Sequence, residues 1–137
     1  MVDRDVLSIR LDALGGYLAE LREFREVPRE EFLEKEGLHH LAERYLHLAC
    51  ECVADIGQHL ISDLGFRHAE SYQDVIAVLQ EEGILEDDLA ESLKGWMGLR
   101  NVLVHIYLKI DHGKTYEAIE TELEDLERFA QAVARLL

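Results

Sequence analysis

The chain has 137 residues, of which 29 are Asp or Glu and 14 are Lys or Arg, giving a formal net charge of −15. Its length suits one domain spanning residues 1–137, and a hydrophobic content of 48% with a single proline argues against general disorder. The charge disfavours steering toward nucleic acid or an anionic membrane, so a polyanionic ligand needs a locally basic pocket, whereas a basic partner suits the chain throughout.

The first stretch, MVDRDVLSIRLDAL, is charged and lacks the apolar core of a secretory signal. No stretch reaches the roughly 18 uncharged apolar residues of a membrane span, and the expectation is a cytoplasmic protein. Val6, Ile9, Leu14, Leu18 and Leu21 recur near helical spacing and predict a first helix, weakened in its middle by Gly15 and Gly16. Pro28 breaks it and suits the opening of a further helical turn.

After Gly37 the clearest stripe begins, through Leu38, Leu41, Tyr45, Leu48, Cys52, Ile56, Leu60 and Leu64. It predicts a helix of roughly 25 residues, packed along its length and stopped by Gly65. Cys50 and Cys52 point apart on it, which argues against a disulfide and reads them as packing residues. Asp55 and His59 are one turn apart and can pair. His40, Glu43 and His47 also recur about one turn apart, a spacing that permits metal ligation. A carboxylate di-metal bundle, however, needs Glu-x-x-His pairs on two facing helices. Glu43 and His47 have a longer gap and no mate, so His39, His40, Glu43 and His47 are expected on a solvated face, with no metal site.

Ser71 with Asp74 resembles a capping box opening a short helix that ends by Gly83. EDDLAESLKGWMGLRNVLVHIYLKI then reads as a long helix with acidic residues in its first turn and Trp96 as a core or interface anchor. HGKT supplies the next turn. A last helix from about Tyr116 to Leu137 carries an acidic face of Glu117, Glu120, Glu124 and Glu127 opposite Ile119, Leu123, Leu126, Phe129 and Val133. There is no repeat or linker. The expected fold class is all-α, an antiparallel bundle of four long helices plus one shorter helix.

Within the long helix, GLRNVLVHIYLKID (98–111) places four polar side chains in the most apolar part of the chain. At 100° per residue, Leu99, Val102, Leu103 and Ile106 share a core face. Arg100, Asn101, His105 and Tyr107 take the opposite side. Asn101 and His105 lie one turn apart and Arg100 and Tyr107 two turns apart, close enough to touch. Val104 and Leu108 fall inside this polar arc, which suits a cleft wall or a subunit interface rather than bare surface. The plainer alternative is that Arg100 and His105 satisfy buried carboxylates on a neighbouring helix.

The element Arg100-Asn101-Val102-Leu103-Val104-His105, extended by Tyr107 to R-x-x-x-x-H-x-Y, resembles the signature of HEPN domains, specifically the HepT-like branch of toxin–antitoxin systems. No other arginine of the chain is followed by a histidine at this spacing. GWMGLRN and DIGQHLISDLG also resemble this branch, and the likeness runs from about residue 5 to 135. The resemblance implies a metal-independent endoribonuclease toxin, without a cofactor, acting as a homodimer whose two motifs face one cleft. RNA supplies its own 2′-hydroxyl nucleophile, so the protein needs only proton transfer and charge stabilisation.

A histidine titrates near pH 6.5 when unperturbed, so His105 suits general acid or base. Arg100 suits the scissile phosphate, and Asn101 the orientation of His105 or of a phosphate oxygen. A second copy adds a second proton-transfer group. Asp55, within DIGQHLI, becomes a supporting candidate. The resemblance further implies an MntA-like nucleotidyltransferase antitoxin that adds AMP to Tyr107, placing bulk and negative charge in the cleft. A different reading keeps the chain non-catalytic: a nucleotide-binding partner subunit of such a nucleotidyltransferase, gripping phosphate with the same Arg100 and His105.

Overall fold

Asp3 starts the first helix by accepting the Val6 amide on its side chain, which satisfies one of the orphan donors of a helix start. From there the computed structural model, which describes all of residues 1–137, runs through seven α-helices and no strand. They are α1 (Arg4–Glu23), α2 (Arg29–Glu34), α3 (Glu36–Leu64), α4 (Tyr72–Glu81), α5 (Asp87–His105), α6 (His112–Thr121) and α7 (Leu123–Ala134). Single 3₁₀ turns at Phe24–Glu26 and Tyr107–Lys109 lie between α1 and α2 and between α5 and α6.

The expected all-α bundle forms, with the last long helix in two rods. Asp111 caps the first of them, its Oδ1 accepting from the Gly113 and Lys114 amides at 3.0 and 3.2 Å. HGKT is therefore the opening of a helix rather than a connecting turn. Glu122 leaves helical geometry (φ −127°, ψ 2°) and separates α6 from α7. Two other signals act as their chemistry dictates. Gly65 takes a left-handed conformation (φ +70°) at the end of α3, and the Ser71 hydroxyl accepts from the Asp74 amide at 3.0 Å to open α4.

Contacts between helices run antiparallel. Along α1 and α3, the Met1 ammonium donates to the Asp63 carbonyl, Arg10 pairs with Asp55, and Tyr17 meets the Tyr45 ring. α4 folds back on α5 through Gln80–Asp87 and Gln73 to the Lys94 carbonyl. α7 returns along α1, with Arg25 to Glu124 at 2.8 Å and Arg22 to Glu127. Leu7, Leu14, Leu18 and Leu21 of α1, and Leu123, Leu126, Phe129 and Val133 of α7, are buried. Leu7 fills the core position expected of Ile9, which is 69% exposed.

The largest departure from pattern lies in α3. Its core face is Ala42, Leu46, Ala49, Cys50, Val53, Ile56, Gly57 and Leu60, rotated about a fifth of a turn from the expected stripe. Leu41 is 47% exposed, and Leu48 and Cys52 are half-buried. Small residues win the core face because they let helices approach: a Cβ on Gly57 would stand 2.4 Å from Val75 Cγ1 of α4. The displaced apolar stripe then lines a surface groove. No helix is long and apolar enough to cross a membrane.

Candidate active site

The last turns of α5 deliver the polar residues to the middle of α3, where Glu51 lies. The buried residues of α5 are Leu89, Ala90, Leu93, Trp96 and Met97. Cys50 of α3 lies beneath it, its thiol donating to the Trp96 carbonyl at 3.7 Å. Burial pushes that thiol up to about 12, so Cys50 is a packing residue and not a nucleophile. Trp96 is 3% exposed and anchors the core.

Arg100 is the best-held side chain of the region. Its Nε donates to Glu51 Oε1 of α3 at 2.6 Å, and its guanidinium carbon lies 4.0 Å from the centre of the Tyr72 ring at the start of α4. Tyr72 closes the arrangement by donating its hydroxyl to Glu51 Oε2 at 2.8 Å. Arg100 Nη1 donates to Asn101 Oδ1 at 3.2 Å and faces His105 Nε2 at 3.4 Å. A guanidinium has no acceptor, so as a hydrogen bond that contact requires Nε2 to accept. The Arg100 side chain is only 13% exposed, whereas His105 is exposed. Arg100 Nη2 makes no protein hydrogen bond.

The structure brings Arg100, Asn101 and His105 together, but Asn101 contacts Arg100 and makes no hydrogen bond to His105. The plainer expectation for Arg100, a carboxylate on a neighbouring helix, is met by Glu51, while His105 has no carboxylate partner. Tyr107 departs from its expected place. α5 ends at His105, and Ile106 (φ −127°, ψ 40°) turns the chain out of the helix, so the projection of 96–108 onto one helical wheel fails beyond it. Tyr107 is 66% exposed on the following 3₁₀ turn and does not stack on Arg100. For the same reason Ile106, expected in the core, is 45% exposed, and Leu108 is 88% exposed.

Asp55 sits one turn after Glu51 on α3. It pairs with Arg10 of α1 at 2.5 Å and with His59 at 3.5 Å, as the i, i+4 spacing predicted. Glu51 also receives His47 at 3.3 Å. Two guanidinium groups thus balance two carboxylates here, within a strongly acidic chain. The sequence reading missed Glu51, Tyr72 and Arg10. The available signals were the need of an arginine in an apolar helix for a carboxylate, and the one-turn step from Glu51 to Asp55. Nothing in periodicity marks Tyr72.

A second polar cluster corrects the expectation of a solvated face on α3. His39 is 4% and Glu43 6% exposed. His112, the first residue of α6, contacts Glu43 Oε2 through Nδ1 at 2.6 Å, and the Thr115 hydroxyl donates to the same oxygen at 2.9 Å. His39 stacks on His112 with ring centres 3.8 Å apart and donates from Nδ1 to the Phe32 carbonyl at 2.9 Å. These bonds tie α6 to α2 and α3. The helix order places them facing inward because α6, starting four residues earlier than expected, packs over them.

The first cluster is therefore suited to anion chemistry: a fixed cation with one free edge beside an exposed imidazole. The ribonuclease HepT-like family model matches residues 14–133. A tRNA nuclease HepT from Aphanizomenon flos-aquae is 28% identical over 130 residues, covering 93% of this chain and 87% of that relative. An mRNA nuclease HepT from Shewanella oneidensis is 27% identical over 64% of this chain and 66% of its own length. The solved structure of a tri-AMPylated Shewanella oneidensis HEPN toxin in complex with MNT antitoxin superposes with a TM-score of 0.90. It covers 97% of this chain and 99% of that one at 20% identity, a likeness of fold.

Proposed function

The chain belongs to the ribonuclease HepT-like family, and on that premise we propose that it is the toxin of a HepT/MntA-like toxin–antitoxin pair. Its activity is metal-independent endonucleolytic cleavage of RNA at a site built from Arg100 and His105. The observation that carries the reading is the Arg100 guanidinium, fixed between Glu51 and Tyr72 with Nη2 free and Nη1 3.4 Å from His105 Nε2.

In this reaction the RNA 2′-oxygen attacks the adjacent phosphorus as the bond to the 5′-oxygen breaks, leaving a 2′,3′-cyclic phosphate. His105 takes the 2′-hydroxyl proton as general base. Arg100 Nη2 holds a non-bridging oxygen as charge grows on it, and Asn101 braces Arg100. The departing 5′-oxygen needs a proton, which the His105 of a second copy supplies in a homodimer with both motifs in one cleft.

Tyr107 is the regulatory residue in this account. An MntA-like nucleotidyltransferase forms a bond from the Tyr107 phenol oxygen to the α-phosphorus of ATP, releasing pyrophosphate. The added AMP brings negative charge to the mouth of an anion site. The 66% exposure of Tyr107 leaves its phenol accessible to such an enzyme.

Purified chain incubated with RNA in EDTA tests the reaction. Cleavage is expected, and Arg100→Ala and His105→Ala should each lower it by about a hundredfold or more. Cleavage that survives both changes removes the site, and dependence on added metal removes the mechanism. Intact RNA throughout favours the non-catalytic alternative, a nucleotide-binding subunit, for which the acidic chain and the Glu51 partner of Arg100 speak. Co-expression with the nucleotidyltransferase should add AMP mass at Tyr107; modification at another residue removes Tyr107 as acceptor.

A further inference from the structure

The proposed phosphate chemistry uses only one side of the Arg100 clamp. On the other side lies a groove of about 350 Å³ between α1, α3 and α4, lined by Tyr17, Leu48, Glu51, Cys52, Asp55, Gln58 and Tyr72. Glu51 and Tyr72 belong to both: they hold Arg100 at 2.6 and 4.0 Å, and they line the groove. The groove and the Arg100 site therefore share two side chains, Glu51 and Tyr72. In RNA, what hangs next to each phosphate is a ribose carrying a base.

The lining matches a base. Tyr17, Tyr72 and Leu48 offer flat or apolar surface, which single-stranded RNA recognition uses for stacking. Asp55 and Gln58, three positions apart on α3, offer a hydrogen-bonding edge. Gln58 is exposed and makes no protein hydrogen bond from its amide. Asp55 is half-exposed, and its pairs with Arg10 and His59 leave lone pairs available on its carboxylate oxygens. The charges there also balance, because Arg10 and Arg100 offset Asp55 and Glu51.

We propose that this groove is a base-binding subsite: it holds the nucleobase beside the phosphate gripped by Arg100, with Asp55 accepting from N–H groups on the base edge. Guanine presents two such donors side by side and fits best; uracil, with N3–H alone, fits less well. The proposal rests on the RNA-cleavage reading of the same site and adds a sequence preference to it.

The test uses binding as well as cleavage, so that the two ideas separate. Isotope-labelled chain carrying His105→Ala is titrated with guanosine 3′-monophosphate, uridine 3′-monophosphate and inorganic phosphate, and backbone amide shifts are followed. The guanosine nucleotide should bind about tenfold tighter than the uridine one or phosphate, the scale of one stacked and hydrogen-bonded base, with shifts centred on Asp55, Gln58 and Tyr72. Asp55→Asn and Gln58→Ala should each narrow that preference to about twofold or less. Gln58 lacks a protein partner, so its change reads the subsite without disturbing the fold. Equal affinity for all three ligands, or shifts centred on another surface, overturns the subsite. Base-selective binding together with no RNA cleavage by the unsubstituted chain upholds the subsite and overturns the ribonuclease reading; cleavage by the unsubstituted chain that is indifferent to the neighbouring base does the reverse.

Discussion

Arg100 combines burial with availability because its three nitrogens are used differently. Nε is spent on Glu51, Nη1 is shared between Asn101 and His105, and Nη2 is left open. Glu51 makes this possible. Burial pulls its carboxyl upward, yet hydrogen bonds from Tyr72 and Arg100, with the Arg100 and His47 charges, outweigh that and leave it below its ordinary 4.5. A folded value below the unfolded one means that stabilisation is fully present above the unfolded value and lost as pH falls through the folded one. Asp74 behaves alike, held at about 2 by hydrogen bonds from Arg67 and the Glu70 amide. Thermal melts should therefore show declining stability on acidification below pH 4.5, and Glu51→Gln should flatten part of that decline. An unchanged acid slope would remove Glu51 from this account.

At the scale of elements, α3 decides the architecture. Its most conspicuous apolar stripe is not its core face, because Ala42, Ala49 and Gly57 allow closer helix contact than leucines do. Close packing of this kind tolerates added volume poorly. Gly57→Ala places a methyl against Val75 Cγ1 and Leu79. It should cost about 1–3 kcal/mol from overpacking, reduced by the roughly 1 kcal/mol helix preference of alanine. Adding Val75→Ala should recover part of the loss in melting temperature; strictly additive effects would show that the two sites do not meet. α5 shows the opposite lesson. Its pattern continues past His105 in sequence but not in space, and the residues beyond, Ile106 to Leu108, end exposed.

For the whole molecule, those exposed residues set the question of assembly. Ile106, Tyr107 and Leu108 are 45%, 66% and 88% exposed, directly after the Arg100–His105 motif, and exposed apolar runs mark interaction surfaces. The proposed homodimer would cover Ile106 and Leu108 while joining two motifs and leaving the Tyr107 phenol open. Sedimentation should find a dimer, and Leu108→Asp should shift it toward monomer while the helical content of the chain is kept, since the side chain is 88% exposed within one chain. A dimer untouched by Leu108→Asp would place the interface elsewhere. The net charge of −15 doubles in a dimer, so RNA binding should depend on the locally balanced region around Arg10 and Arg100 and weaken with salt.

By itself the sequence determined the all-helical class, the caps at Ser71 and Gly65, the Asp55–His59 pair and the shared placement of Arg100, Asn101 and His105. Each depends on spacing within one helix or one turn, which local geometry fixes. Tertiary structure decided the rest. Glu51 and Tyr72 come from other helices and meet Arg100 only through packing. Glu43, His39 and His112 are buried because α6 lies over them. Tyr107 left the expected face because the helix stopped two residues earlier. Periodicity reports which residues share a face; it cannot report which neighbour covers that face, or where helical hydrogen bonding gives way to a turn.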